Sequence, residues 1–84
     1  MYKIKIDPKV NKFLEKSETQ LSERIKNKLK SIKEEPFIYL EHLEGQDFYK
    51  LRIGNYRALI DVDKKRKIIF VRHIDHRKRI YKKL

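Results

Sequence analysis

The chain has 84 residues and carries 23 Lys and Arg against 12 Asp and Glu, a formal net charge of +11. So short a chain predicts a single domain over residues 1–84, and so positive a charge favours an anionic partner, above all nucleic acid. The absence of cysteine excludes disulfides and a cysteine nucleophile, and no run approaches the roughly 20 apolar residues of a membrane-spanning helix, so we expect a cytoplasmic protein without a membrane partner.

A first strand and a first helix are predicted at the beginning of the chain. Apolar and basic residues alternate over residues 2–6, which is the pattern of a strand with one buried face. Asp7 and Pro8 suit the N-cap and the first position of a helix, because the carboxylate accepts a backbone N–H and proline fixes φ. We therefore predict a helix near residues 8–16.

A second helix is predicted near residues 18–34. Ser17 and Gln20 have the spacing of a capping box, and four apolar residues then recur at helical spacing, Leu21, Ile25, Leu29 and Ile32. The helix should end before Pro36, because the residue that precedes a proline is displaced from the α region. Residues 37–45 have no clean period and are predicted as a linker of extended character.

The rest of the chain predicts three more strands, near residues 47–53, 56–62 and 67–74. In the first of these, Lys50 and Arg52 alternate with apolar residues, so the two cations share one face. Gly54 and Asn55 follow and suit a type II′ hairpin turn, in which the first central residue has a positive φ. Residues 75–84 are mostly basic and suit either a short helix or an ordered tail.

The predicted order βααβββ is typical of an α+β fold in which a helical hairpin packs on a small, mainly antiparallel sheet. Charge is distributed unevenly along this order. Residues 47–84 hold 13 Lys and Arg against 4 Asp and Glu, whereas residues 1–46 hold 10 against 8. Anion binding is therefore assigned to the hairpin and the C-terminal residues.

Two segments carry a resemblance to a known family. They are Phe48–Arg57, with the sequence FYKLRIGNYR, and His76–Tyr81, with the sequence HRKRIY. Together with the βααβββ order, they resemble the RelE/ParE toxin superfamily over almost the whole chain. The resemblance implies a RelE-type toxin of a type II toxin–antitoxin system, an endoribonuclease that cleaves mRNA on the ribosome and forms a hetero-oligomer with a RelB-like antitoxin.

The resemblance also implies the residues of the site. In RelE-type nucleases, basic residues on one face of the sheet and a tyrosine near the C-terminus act on the RNA, and the matching positions here are Lys50, Arg52, Arg57, Arg77 and Tyr81. Arg57 would stabilise the phosphorane and Arg77 would give electrostatic help near the leaving oxygen, because guanidinium groups hold a fork of donors on phosphate oxygens. Tyr81 would stack on a base or orient the nucleotide.

The group that removes the proton from the 2′-hydroxyl stays open. Arg52 stands where some members of the superfamily have a second lysine, and arginine does not act as a base. Lys50 would act as the base only if crowding by neighbouring cations favours its neutral form. Related toxins use a histidine and a carboxylate, which makes His76 an alternative acid or base.

Simpler interpretations exist for the same residues. Lys50 and Arg52 would occur on the solvated face of any amphipathic strand. Arg57 could be a hydrogen-bonding residue at the end of a hairpin, and Tyr81 could anchor the C-terminal residues to the core. The remaining basic residues near the C-terminus suit a nonspecific phosphate-binding patch, Lys78, Arg79, Lys82 and Lys83.

No metal ion or other cofactor is expected. His73 and His76 lie near Asp75 at the end of a predicted strand, but this spacing does not converge on one ion. The predicted nucleophile is therefore the RNA's own 2′-hydroxyl rather than a metal-activated water. Two other functions are alternatives: a ParE-like toxin that inhibits DNA gyrase through protein contacts, and a non-catalytic RNA-binding module. The RelE-type site positions favour the nuclease.

Overall fold

The computed structural model describes residues 1–80, which form one five-stranded sheet and four helices. In chain order the elements are β1 (Lys3–Ile6), α1 (Pro8–Lys16), α2 (Thr19–Ser31), α3 (Pro36–Tyr39), β2 (Glu41–His42), β3 (Tyr49–Ile53), β4 (Tyr56–Asp63), β5 (Ile68–His76) and α4 (Arg77–Ile80). The α+β class and the βααβββ order are confirmed, with the short elements α3, β2 and α4 in addition.

The strands lie in the order β1-β5-β4-β3-β2. β1 runs parallel to β5, with Lys3 opposite Ile68 and Ile6 opposite Val71, and the other three pairs are antiparallel. Parallel strands cannot be joined by a tight turn, so α1, α2 and the three remaining strands all lie in the connection between β1 and β5. β5 has a neighbour on both sides over its first half, and Ile69 and Val71 are completely buried there.

The apolar stripe of α2 packs on the sheet, as its spacing predicts. Ile25, Leu29 and Ile32 are buried, and Leu21 is partly buried at the edge of the same cluster. Other elements contribute their inward-facing residues, Val10, Leu14, Leu51, Ile53, Ala58, Ile60, Ile69, Val71 and Ile74. Replacing a fully buried residue such as Ile25 by alanine would lower the free energy of unfolding by about 2–5 kcal/mol, because apolar contacts are lost and a cavity remains.

Only the first of the two main helices begins as predicted. Asp7 Oδ1 accepts a hydrogen bond from the backbone N–H two residues later, at 2.9 Å, and Pro8 is the first residue of α1. The capping box at Ser17 is wrong, because Ser17 is the C-cap of α1 and its hydroxyl donates to Phe13 O at 2.6 Å. The N-cap of α2 is Glu18, whose side chain makes no capping hydrogen bond. The link between the helices is so short that Ser17 stays within reach of the last carbonyl groups of α1.

The linker predicted over residues 37–45 contains two elements instead. Pro36 begins α3, since its fixed φ suits the first helical position. β2 then pairs with β3, placing Glu41 opposite Lys50. The loop between the two strands turns at Gly45, whose φ is +75°. Sequence periodicity does not reveal these elements, because four helical residues and two strand residues are too few to show a repeat.

The hairpin between β3 and β4 is confirmed at Gly54 and Asn55. Gly54 has a φ of +58°, in the left-handed region that residues with a Cβ rarely adopt. Asn55 O accepts a hydrogen bond from Arg77 N at 2.8 Å, so the turn is tied to the start of α4. β5 continues to His76 rather than ending at residue 74. Of the two predictions for the C-terminal residues, a short helix is observed over Arg77–Ile80.

Candidate functional site

One face of the sheet is covered by α1 and α2, and the opposite face carries basic side chains. Leu51 and Ile53 of β3 are buried in the core beneath the helices, so Lys50 and Arg52, which alternate with them, point to the opposite face. Arg57 of β4 lies directly across from Arg52 and shares that face. We call this surface the basic face, defined by Lys50, Arg52 and Arg57.

Two rows of side chains cross the basic face from strand to strand. One row consists of Glu41, Lys50, Leu59 and His73, and the other of Arg52, Arg57 and Asp75. Neighbouring strands are roughly 4.8 Å apart, so the strand positions of Arg52 and Arg57 are close enough for both side chains to contact one phosphate group or two adjacent ones.

Glu41 brings an acidic group to this face. Its Oε2 lies 3.5 Å from Lys50 Nζ, and its Oε1 lies 3.7 Å from Arg52 Nε. The side chain of Lys50 is 16% exposed whereas that of Arg52 is 68% exposed, so Arg52 is the more accessible cation. Sequence reasoning missed Glu41 by assigning it to a linker. Gly45, a turn residue shortly before β3, is the signal that could have indicated a hairpin with Glu41 on its first strand.

The Arg57 side chain folds back onto the hairpin. Its Nη1 donates to Gly54 O and to Tyr56 O, both at 2.8 Å, and the residue is only 8% exposed. The simpler interpretation of Arg57, a hydrogen-bonding residue at the end of a hairpin, is therefore observed. A guanidinium has five N–H donors, and a contact of Arg57 with phosphate has to use those on Nη2 and Nε.

α4 places further basic residues beside the hairpin. Arg77, Lys78 and Arg79 are all exposed. Arg79 Nε lies 3.3 Å from Asp75 Oδ1, which also accepts a hydrogen bond from the next backbone N–H at 2.7 Å. Arg79 is thus held against the end of β5, whereas Arg77 is exposed next to the Gly54 turn.

α4 also covers part of the basic face. Leu59 lies between Lys50 and His73 on this face, yet it is almost completely buried. Neither Leu59 nor the fully buried Ile80 belongs to the cluster beneath α1 and α2, and α4 contacts both β4 and β5. We conclude that Ile80 packs on the Leu59 side of the sheet, where it fixes the position of α4.

His76 lies apart from the basic face. It is opposite Tyr56, and the centroids of the two rings are 5.7 Å apart. The Tyr56 ring in turn packs against Phe13 of α1, at 6.0 Å, which places both rings on the helix-covered side. His76 Nδ1 accepts a hydrogen bond from Lys78 N at 3.3 Å. The structure therefore brings Lys50, Arg52 and Arg57 together but does not add His76 to them.

Three predicted site residues lie outside the described residues, Tyr81, Lys82 and Lys83. Within residues 1–80, no group of three His, Asp or Glu side chains is arranged to hold a metal ion. In the same part of the chain, no helix combines the length and the apolar character needed to cross a membrane. The exposed groups of the site, above all Arg52 and Arg77, are cationic and suit the binding of phosphate.

The sequence matches a protein-family model over nearly its full length. The family is described as ParE toxin of type II toxin-antitoxin system, parDE, and the match spans residues 4–81. The chain belongs to the ParE toxin family. This ParE-family protein is thus a toxin of a type II toxin–antitoxin system. A comparison of the chain with curated proteins gives no match.

Solved structures of RelE toxins resemble this ParE-family toxin closely in fold. The archaeal RelE–RelB complex from Pyrococcus horikoshii OT3 matches with 28% identity and a TM-score of 0.80, covering 93% of this chain and 97% of that chain. The isolated E. coli RelE toxin matches with 26% identity and a TM-score of 0.78, covering 99% and 94%. The intact E. coli RelBE complex matches with 27% identity and a TM-score of 0.74, covering 90% and 96%. Membership of the RelE/ParE superfamily, close to the RelE type, is therefore confirmed.

Proposed function

We propose that this toxin is an endoribonuclease that cleaves mRNA on the ribosome. The observation that carries the proposal is the side-by-side position of Arg52 and Arg57 on adjacent strands, with the exposed Arg77 bound to the same hairpin turn. Three guanidinium groups near one end of a sheet suit an RNA phosphate, because each offers a planar fork of donors to phosphate oxygens. The RelE-like fold supports the same assignment.

The proposed reaction uses the RNA's own 2′-hydroxyl as the nucleophile. The 2′-oxygen gives up its proton and attacks the adjacent phosphorus, the bond from phosphorus to the 5′-oxygen of the next nucleotide breaks, and that oxygen takes up a proton. One proton thus moves overall from the 2′-oxygen to the 5′-oxygen, and the products carry a 2′,3′-cyclic phosphate and a free 5′-hydroxyl. Negative charge accumulates on the phosphorane in between, and preorganised guanidinium groups stabilise it. In this proposal Arg57 and Arg77 stabilise that charge, Arg52 holds the RNA backbone, and no step requires a metal ion.

The contacts of Lys50 and His76 are the basis for the roles that we propose for these two residues. Lys50 is paired with Glu41, and loss of its proton would break that ion pair, so we assign Lys50 to binding of the RNA backbone rather than to proton abstraction. His76 packs against Tyr56 on the helix-covered side and is given no acid or base role. Tyr81 keeps its proposed role of stacking on a base.

The basic residues at the end of the chain are proposed to bind ribosomal RNA in the cytoplasm. Lys78 and Arg79 are exposed on α4, and Lys82 and Lys83 continue the basic run in the sequence. Phosphate contacts of this kind release counterions and weaken as the salt concentration rises. They would therefore contribute affinity for the ribosome without taking part in the chemical step.

Single-turnover cleavage of mRNA on programmed ribosomes tests the nuclease proposal. Arg77→Ala should slow the saturated rate about a hundredfold, because loss of one preorganised donor typically costs about 3 kcal/mol. Arg66→Ala removes an exposed arginine from the turn between β4 and β5 and should cleave at the wild-type rate. Wild-type cleavage should leave 2′,3′-cyclic phosphate ends and should disappear when the nucleotide at the cleavage site is 2′-deoxy. A wild-type rate for Arg77→Ala would show that the assigned site is wrong.

An acidic, RelB-like antitoxin is proposed as the second partner. The net charge of +11 favours an anionic partner, and similar toxins are solved in complexes with RelB. An antitoxin that covers the basic face would block access of the RNA. One that displaces α4 and the residues after it would move Arg77 and Tyr81 out of place, and either effect would inactivate the site. Purification from the native host should yield a toxin–antitoxin hetero-oligomer. A free monomer that is harmless when expressed alone would contradict the proposal.

Inhibition of DNA gyrase is a second candidate, because the family model that matches residues 4–81 is that of ParE toxins. A gyrase inhibitor would act through protein contacts and would not need Arg77 for chemistry. Incubation of the purified toxin with gyrase and relaxed plasmid separates the two candidates. Loss of supercoiling, with mRNA on programmed ribosomes left intact, would favour this candidate over the nuclease.

A further inference from the structure

The large apolar residues that remain exposed gather at one end of the molecule. Within residues 1–80 they are Met1, Phe37, Ile38 and Tyr39, and three of the four belong to α3. The rings of Tyr2 and Phe37 have centroids 6.4 Å apart, so Met1 also lies near α3. We call the surface formed by Tyr2, Phe37, Ile38 and Tyr39 the α3 patch.

The α3 patch is held in place by the rest of the fold. Pro36, at the start of α3, is buried, and the ring of Phe37 packs against that of Tyr49 with centroids 5.4 Å apart. Tyr2 N donates to Lys33 O at 2.8 Å, which fixes the first residues of the chain to the turn that follows α2. An open groove of ≈ 450 Å³ runs along the patch. Side chains fixed in this way lose little conformational entropy when a partner docks.

Positive charge flanks the exposed rings. Lys64 Nζ lies 5.0 Å from the centre of the Phe37 ring, and Lys28 Nζ lies 4.9 Å from the centre of the Tyr39 ring. An ammonium group beside an apolar surface suits a partner that combines apolar side chains with carboxylates. The patch is therefore complementary to an apolar peptide segment that has acidic flanks.

A nucleic acid and a second copy of this chain fit the α3 patch less well. Glu34 and Glu35 line the groove itself and repel any anion that lies in it. A nucleic acid carries a phosphate at every nucleotide, whereas a peptide can place apolar side chains in the groove and its carboxylates beside Lys28 and Lys64. Ile38, the most exposed residue of the patch at 69%, has no ring on which a base could stack. Two copies of a chain with a net charge of +11 repel each other, which disfavours self-association through this surface.

We propose that the α3 patch binds an apolar, acid-flanked segment of the antitoxin. The proposal rests on the proposed function, which supplies the acidic antitoxin. Phe37 contacts Tyr49 at the first residue of β3, whereas the Gly54 turn lies at the other end of the same strand, about 17 Å away. The antitoxin therefore contacts the toxin at two separate places, and the α3 patch anchors it away from the RNA site.

Affinity for the antitoxin gives the first test of this anchor. The probe is the recombinant small acidic protein encoded by the gene next to that of the toxin, titrated against the full-length chain. Ile38→Gln should weaken binding about 10- to 30-fold, because an apolar contact is lost from the interface, whereas Ile38→Leu should stay within about twofold of the wild type. Cleavage of mRNA by the free variants should not change.

Titration of the acidic protein against the wild-type toxin and Ile38→Gln separates failure of the anchor from failure of the antitoxin proposal. Wild-type affinity for Ile38→Gln would overturn the anchor while leaving the antitoxin proposal intact. No binding by the wild-type toxin would overturn the proposed partner and the anchor with it. Weaker binding of Ile38→Gln to purified ribosomes, with unchanged binding to the acidic protein, would assign the patch to the ribosome and overturn the anchor.

Thiol protection gives a second readout that does not depend on affinity. The sequence has no cysteine, so Ile38→Cys carries a unique thiol. Its reaction with a maleimide should become about tenfold slower in the antitoxin complex, because burial excludes the reagent. Gln20→Cys, exposed on the first turn of α2, serves as the control for reactivity in the free toxin. Unchanged labelling of Ile38→Cys in the complex would overturn the proposal.

Discussion

Replacement of Glu41 by glutamine tests whether the Glu41 carboxylate competes with RNA phosphate for Lys50 and Arg52. The Glu41 carboxylate lies 3.5 Å from Lys50 Nζ and 3.7 Å from Arg52 Nε, so a phosphate that binds these cations has to displace it. A pair at this distance amounts to about 1 kcal/mol in water-like surroundings, and exposed pairs contribute about 0.2–1 kcal/mol net. We therefore expect Glu41→Gln to raise RNA affinity about fivefold, which corresponds to about 1 kcal/mol.

The assay is fluorescence anisotropy with a 2′-O-methyl RNA oligonucleotide, which cannot be cleaved by attack of its own 2′-hydroxyl. Glu44→Gln removes the same charge from the exposed loop after β2 and should change the affinity much less. The gain for Glu41→Gln should vanish near 1 M salt, where the Debye length is about 3 Å. Equal gains in the two variants would refute competition at the site and leave only an effect of net charge.

Three further predictions concern the hairpin and α4, and urea denaturation checks each of them. Gly54→Ala should lower the free energy of unfolding by about 1–2 kcal/mol, because a Cβ is strained at φ +58°, and an unchanged midpoint would contradict that turn conformation. Leu59→Ala should lower the free energy of unfolding by about 2–5 kcal/mol, because the side chain is buried beneath α4. A decrease below about 0.5 kcal/mol would show that α4 does not cover Leu59. Arg57→Ala should lower the free energy of unfolding by about 1–3 kcal/mol, because two carbonyl groups lose their hydrogen-bond donor. Wild-type stability of Arg57→Lys would contradict the role of the guanidinium fork.

The long elements could be predicted from the sequence because their patterns repeat several times. The stripe from Leu21 to Ile32 covers three turns of α2, and β3 shows two full periods of alternation. α3 and β2 have only four and two residues, so no local pattern marks them. β2 forms because Glu41 and His42 come into register with β3, which is a tertiary interaction that no single segment encodes.

The part of the basic face on β3 and β4 could be predicted from the sequence, because the Gly54 turn determines how these two strands are paired. A two-residue turn places Ile53 opposite Tyr56, and Arg52 therefore lies opposite Arg57. Glu41 could not be placed in the same way, because its strand is joined to β3 by a longer loop. The sequence thus predicts which cations share a face but not the carboxylate that lies between two of them.

The position of His76 depends on an irregularity that the sequence does not show. Leu59 lies opposite His73 while Ile60 lies opposite Val71, so Arg72 is an extra residue in β5. A β-bulge of this kind exchanges the two faces for every later residue of its strand. Without it, His76 would share the basic face. With it, His76 packs against Tyr56, and Asp75 takes the place beside Arg57.

Mapping of mRNA ends by primer extension, after brief induction of the toxin in growing cells, tests the central claim most directly. The nuclease proposal predicts new 5′ ends inside translated coding regions, and these ends should be absent both from a reporter that lacks its start codon and from cells that express Arg77→Ala. Intact mRNA in cells that have stopped growing, together with a loss of plasmid supercoiling, would contradict the nuclease and identify gyrase as the target.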